Sequence, residues 1–307
     1  MASDLRGRLV AAVLALSAAF LWATYYLFVL AVRPGTPPSA VLFYPFLGGA
    51  LASTLWVLAR GRGAELRRTF VEPQAYLRIG LLVAVQVSVL GATYLTGPVD
   101  ASLLSLLGDV VATPLVVAGL FGGERGELRS PRVATGLVLS LAGGTLAIVG
   151  GHGLRSVHGL AWGILAFLPV GVAFFFVLSA RAARGASVMA VVAHAMIGAT
   201  LGSLALAVVL PGGLAGIVDV RLWPLALLLV NGLGSFFAGY LLYLRAIERA
   251  GLVFPPMLMT GIPVFTLLLS AVFLGLAPAT LALLGVPVAA VGGILALAGG
   301  PATPEPG

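Results

Sequence analysis

The sequence contains no lysine and no cysteine. Without lysine there is no side-chain amine for a Schiff base, which excludes a retinal protein of the usual kind. Without cysteine there is no disulfide, no thiolate metal site and no thioether-linked haem. Charge of either sign is scarce: 9% of the 307 residues are charged, against roughly a quarter in an ordinary soluble domain. Hydrophobic residues make up 60% and the mean hydropathy is +1.13, so there is too little polar surface to cover a core in water. The apolar excess must face lipid. This composition excludes a soluble globular protein, a disordered chain and a coiled coil. It also excludes nucleic acid as the partner that a net charge of +7 would otherwise suggest.

What the chain has in quantity is long apolar runs. A membrane-spanning helix needs about 20 mostly apolar residues, because the hydrocarbon core is roughly 30 Å thick. Ten runs meet that need, over 9–32, 38–59, 75–97, 101–121, 132–150, 158–180, 187–210, 222–244, 251–275 and 279–299. Arg6 and Arg8 before an Ala-rich run give the start the look of a signal peptide. The apolar stretch continues through Trp22 and Tyr26 to Val32, longer than a secretory core, so a retained first helix is expected. Orientation follows from the arginines. The side with the N-terminus and the loops after even-numbered spans holds Arg6, Arg8, Arg60, Arg62, Arg67, Arg68, Arg78, Arg125, Arg129, Arg132, Arg181, Arg184, Arg245 and Arg249. The other side holds Arg33, Arg155 and Arg221, a split of 14 to 3. The positive-inside rule then puts both termini in the cytoplasm. Arginine as the sole long basic residue, with abundant Ala, Gly, Leu and Val, fits a GC-rich prokaryotic genome and hence a prokaryotic inner membrane.

The chain also repeats itself. At an offset of 149, Tyr94 meets Tyr243, Ala101 meets Ala250, Pro114 meets Pro263, Gly136 meets Gly285, and Gly143-Gly144 meets Gly292-Gly293. At 148, Phe28-Val-Leu falls on Phe176-Val-Leu and Ser39 on Ser187. Residues 1–152 and 153–300 therefore read as two five-helix repeats, followed by a disordered Pro-rich tail over 301–307. Because five is odd, the second repeat enters the membrane with opposite polarity. The expected fold class is an all-α membrane protein, ten transmembrane helices as two five-helix inverted-topology repeats, which suits alternating access around one midplane site.

The unit Tyr94-Leu-Thr-Gly-Pro-Val-Asp-Ala-Ser-Leu-Leu-Ser-Leu-Leu, followed by Pro114 and Gly136…Gly143-Gly144, resembles the EamA-type repeat of the ten-helix drug/metabolite transporter superfamily. The resemblance implies that the first four helices of each half line a central cavity and that the fifth and tenth pack behind it. It also implies export. Two positions depart from the pattern: the acidic residue after the fourth helix (Glu124 or Glu127) has Leu276 as its counterpart, and Tyr44, Pro45 and Phe46 stand where a basic residue is often found.

Among the residues available for function, Asp109 is the acidic residue placed most deeply in a span. Such a charge usually faces a cavity or bundle interior, where it binds a substrate amine or takes up a proton; the alternative is a protonated Asp bonded to a neighbouring helix. His194 lies within the seventh span and could join a proton relay or simply bond a backbone carbonyl. His152 and His158 are too isolated to hold a metal. Pro45, Pro114, Pro169 and Pro263 interrupt spans, each freeing a carbonyl that needs protein or water beside it, and are candidates for gating bends or for packing kinks. Trp22 and Tyr26 share a helix face; with Tyr25, Phe43, Tyr44, Phe174, Phe175, Phe176, Phe236, Phe237, Tyr240 and Tyr243 they form an aromatic set that can stack on a substrate or cover a cation. Tyr94 marks the repeat. Gln86, Ser105 and Asn231 are uncharged hydrogen-bonding groups inside spans, for substrate or for another helix. The Gly-rich fifth and tenth spans allow close helix contact.

These features predict a secondary-active transporter of small neutral or zwitterionic metabolites, amino acids first among them, with no cofactor, no metal and no enzymatic activity. The proton is the candidate coupling ion and Asp109 its candidate carrier. The chain is expected in the lipid bilayer as a monomer or homodimer. The alternatives are a passive channel, a lipid-translocating protein or an intramembrane enzyme; the last would need paired carboxylates or a metal cluster at depth, and one Asp does not supply them.

Overall fold

The computed structural model describes residues 2–113, 116, 130–150, 160–252, 254–275 and 280–298. Every regular element among them is helical. Six helical stretches are long and apolar enough to cross a membrane, namely Leu9–Val32, Pro38–Ala59, Ala75–Thr96, Val188–Ala207, Leu222–Ala250 and Phe254–Leu274, and shorter apolar helices accompany them. Pro114, Glu124, Glu127, His152, Arg155, His158, Leu276 and the tail over 301–307 lie outside the described residues.

Helix α1 spans Ala2–Val32 and α2 Pro38–Ala59. Helix α2 opens on Pro37-Pro38, the preset φ of Pro38 fitting the first helical position. The loop after α2 folds into a surface helix, α3 (Gly63–Phe70), which the apolar runs did not reveal because it is only eight residues long. It buries Leu66 and Thr69, with Leu66 meeting Val57, Met189 and Ala193, and carries Arg67 and Arg68 in its last turn. Helix α4 (Ala75–Thr96) ends at Gly97, whose φ of +95° turns the chain directly into α5 (Pro98–Leu107); a side chain there would strain that turn. Helix α5 runs on into a π-helical turn over Gly108–Ala112. Helix α6 covers Pro131–Gly150 and α7 covers Leu160–Ala182.

Helix α8 (Val188–Ala207) is capped by Ser187, whose side chain accepts the Ala190 N–H at 3.3 Å. The carboxylate of Glu65 on α3 accepts the Ser187 backbone N–H at 3.3 Å, and hydrogen bonding to Ser187 holds that carboxyl below its usual range. A carboxylate at a helix N-terminus is favoured by the helix dipole. After the short α9 (Ala215–Val218), the eighth apolar run is one continuous helical stretch in three parts: α10 (Leu222–Asn231), a π-helical segment over Gly232–Gly239, and α11 (Tyr240–Ala250). The ninth run is divided. Helix α12 (Phe254–Leu258) and α13 (Gly261–Leu274) are separated by a turn at Met259-Thr260. Pro263 sits in the first turn of α13, where an N–H has no intrahelical partner. Helix α14 covers Thr280–Ala298.

Packing pairs the elements across the two halves. Helix α2 lies against α8, α4 against α7, α1 against α11 and α13, and α6 along α14. Glycines set the closest approaches. A Cβ on Gly143 of α6 would strike the Ala289 backbone nitrogen and come within 2.6 Å of Gly285 O, and one on Gly292 of α14 would come within 2.6 Å of Gly136 O. The Ser140 hydroxyl donates to Ala289 O across the same seam at 3.2 Å. Gly48 of α2 faces Leu229 O, and Gly232 faces Pro45 O, so α2 and the α10–π junction touch backbone to backbone.

Candidate functional site: a central aromatic cavity

Short polar and aromatic residues from six helical segments converge in the bundle. The cavity they enclose is lined by Trp22, Tyr25 and Tyr26 of α1, by Val85, Gln86 and Val89 of α4, and by Ser105 and Asp109 of α5 and its π turn. From the second half come Val172, Phe175 and Phe176 of α7, Ser235, Phe236 and Tyr240 of the π segment and α11, and Ile262 of α13. The cavity has a volume of about 60 Å³.

Asp109 is buried and is the sole charged residue of this lining. The Tyr243 hydroxyl donates to its Oδ1 at 3.3 Å. The π turn that carries Asp109 is shaped by two contacts. Thr113 Oγ1 donates to Gly108 O at 2.9 Å, and Gly108 lies so close to Pro169 of α7 that a Cβ would fall 2.9 Å from its backbone. Pro169 thus presses against the residue that precedes the carboxylate. π turns of this kind recur at functional sites, and the second one, over Gly232–Gly239, flanks the same cavity with Ser235 and Phe236.

The walls are aromatic edges held at T-shaped or tilted angles. Trp22 packs 5.3 Å from Tyr240, 5.1 Å from Tyr243 and 5.6 Å from Phe176, and Phe176 lies 4.6 Å from Tyr243. Hydrogen bonds fix the polar tips. Tyr26 OH and Ser105 Oγ are 2.8 Å apart, Gln86 Nε2 donates to Tyr240 OH at 3.1 Å, and Trp22 Nε1 donates to Ser235 O at 2.9 Å. Ser235 Oγ lies 2.7 Å from Leu21 O and 2.6 Å from Asn231 Oδ1. The Oε1 of Gln86, buried and without a hydrogen bond among the described residues, is an acceptor left over in the cavity lining.

Of the residues singled out in the sequence, Asp109, Trp22, Tyr26, Gln86, Ser105 and Tyr240 line this cavity, Tyr243 bonds to Asp109, and Asn231 stands behind Ser235. Three others lie elsewhere. Tyr44 donates to Ile217 O at 2.6 Å, and Tyr94 lies under the Arg33 guanidinium at 4.8 Å. His194 is fully buried with its ring 4.5 Å from Phe70, and neither ring nitrogen has a partner among the described residues. Tyr44 and His194 sit on α2 and α8, which contribute no residue to the lining. Sequence reading missed Ser235, and it missed the burial of Arg78. That residue, grouped above with the loop arginines, is 1% exposed in the first turn of α4 and pairs with Glu72 at 2.8 Å.

The bundle thus encloses one acidic side chain in an aromatic cavity. Residues 158–298, a little under half of the chain, match the EamA-like transporter family, which supports membership of the drug/metabolite transporter superfamily. The match and the apolar helices support a multi-pass integral membrane protein, and the family suggests a transporter of small molecules. The motif from Tyr94 to Leu107 that carried the resemblance lies outside the matched stretch. A solved crystal structure, described only as that of a protein, superposes with a TM-score of 0.70 over 93% of this chain and 96% of that chain at 20% identity, which shows a shared fold. A comparison with curated proteins finds no match.

Proposed function

We propose that the chain is a secondary-active transporter, working in the export direction, that moves small neutral or zwitterionic metabolites such as amino acids by alternating access. The observation that carries this reading is the composition of the cavity wall: α1, α4 and α5 with its π turn from the first half, and α7, the π segment with α11, and α13 from the second, with one acidic side chain between them. The contacts behind it obey the sequence repeat. Gly143 approaches Gly285 and Ala289, and Gly292 approaches Gly136 and Ser140; adding 149 to one set of numbers gives the other. The exchange of α4–α7 for α1–α11 contacts follows the same rule. These relations support two inverted five-helix repeats, 1–152 and 153–300, ten helices in all, with a two-fold axis in the membrane plane.

In this reading Asp109 takes a substrate amine or a proton, and Trp22, Tyr26, Gln86, Ser105 and Tyr240 contact the substrate. Pro169, against Gly108, Pro45, against Gly232, and Pro263, at the break before α13, are the candidate gating positions in this reading. The 14-to-3 arginine split favours both termini in the cytoplasm, and the composition favours a prokaryotic inner membrane. The test is transport by the full chain in proteoliposomes. Saturable uptake with accelerated exchange against internal substrate is expected; uptake linear in concentration and blind to internal substrate would make the protein a passive channel.

A further inference from the structure

Tyr243 lies on α11 between residues that line two separate spaces. Tyr240, one turn before it on α11, lines the central cavity. Leu244 and Ile247, just after it, line a separate groove of about 400 Å³ together with Ala180, Ala183 and Glu248. The register is the same on α7: Phe176 lines the cavity, and Ala180 and Ala183, four and seven residues on, line the groove. Residues at these spacings share a helix face, so cavity and groove follow one another along the α7–α11 seam. The fully buried Tyr243 stands between these positions on α11, its ring against Phe176 and Trp22 and its hydroxyl on Asp109. At 3.3 Å that hydrogen bond is longer than the 2.5–3.0 Å usual for O–H···O. No basic side chain among the described residues forms an ion pair with Asp109.

We propose that Tyr243 is a latch on the floor of the cavity, released when a substrate ammonium bearing N–H donors takes its place on Asp109. The inference rests on the transporter reading and replaces its neutral or zwitterionic substrate class with cationic amines. An amine is recognised through its N–H groups by the one carboxylate of the lining, while the faces and edges of Trp22, Tyr26, Phe176 and Tyr240 surround the cation. A substrate carboxylate finds no cationic partner there, and a quaternary ammonium has no N–H to exchange for the tyrosine hydroxyl. Primary and secondary amines are therefore preferred over both zwitterions and quaternary ions. Once its hydroxyl is freed, the Tyr243 ring swings out of the seam and joins cavity to groove.

The test uses the full chain, with 2-phenylethylamine, its N,N,N-trimethyl derivative and phenylalanine as probes. The primary amine is expected to bind at least about tenfold more tightly than the other two, the worth of a hydrogen bond to a charged group, and Asp109→Asn to abolish the preference. Tyr243→Phe, which keeps the ring and removes the competing hydroxyl, is expected to tighten amine binding about tenfold; a folding defect would weaken it instead. Because the native chain has no cysteine, Val172→Cys on the cavity wall reports opening. An impermeant maleimide, added on the side carrying Arg184 and Glu248, should label it faster with the amine present, and fast without amine when Tyr243→Phe is added. Equal affinity for the primary amine and its trimethyl derivative, or affinity and labelling unmoved by Tyr243→Phe, would overturn the latch. Either result leaves substrate exchange in proteoliposomes intact, whereas loss of exchange with amine binding and labelling as expected overturns the carrier reading instead.

Discussion

A carboxylate inside an apolar bundle must find its compensation locally, and Asp109 has one tyrosine hydroxyl and a ring of aromatic edges with which to do it. Removing the charge while keeping the shape isolates its role. Asp109→Asn should lower kcat/KM by about tenfold or more, the worth of a hydrogen bond to a charged group, and should flatten the pH profile of transport. Full uptake with an unchanged profile would remove Asp109 from both substrate binding and coupling. Asp109, Gln86 and Ser105 were legible in the sequence because a polar residue in an apolar run stands out, and Trp22, Tyr26, Tyr240 and Tyr243 because large rings cluster there. His194, Tyr44 and Tyr94 have the same kind of signal and yet lie away from the cavity. Position along a span gives depth, not direction around the helix, and the direction of α2 and α8 is set by their packing on each other. Ser235 carries no signal at all: a small hydroxyl between Gly234 and Phe236 looks like packing until a π segment turns it inward.

At the scale of elements, the sequence foresaw where most apolar helices run and missed how they are interrupted. The turn at Met259-Thr260 divides the ninth run because Pro255 and Pro256 before it and Pro263 after it each suit the first turn of a helix better than its middle. Neither π segment has a composition that announces it. Glycine contacts are more readable, and adjacent positions make a controlled pair. Gly143 has backbone atoms of α14 where its Cβ would be, whereas a Cβ on Gly144 would meet only the Leu107 side chain, at an ordinary 3.7 Å. Gly143→Ala should therefore destabilise the protein by about 1–3 kcal/mol, the usual penalty of overpacking, seen as a lower Tm in detergent. Gly144→Ala should leave the Tm close to wild type. Equal effects would mean that the α6–α14 seam is looser than its backbone contacts indicate.

For the whole molecule, composition alone was enough to put the chain in lipid, since no soluble surface can be made from 9% charged residues. The arginine asymmetry makes a prediction about the assembled topology. Single cysteines replacing Arg67, on α3, and Arg155, in the connection between the halves, should label from opposite sides of the membrane in intact and inverted vesicles; labelling from one side would overturn the inverted arrangement. Pairing between the halves was the part that sequence could not supply, because an offset of 149 relates residues without saying which surfaces meet. The size of the cavity has a thermodynamic consequence. The cavity described here is narrow, and alternating access requires forms in which it is wider. The affinity measured for any substrate is then its intrinsic affinity for a wider form scaled by the fraction of molecules in that form. A mutation that widens the resting cavity can thus strengthen apparent binding without adding a single contact.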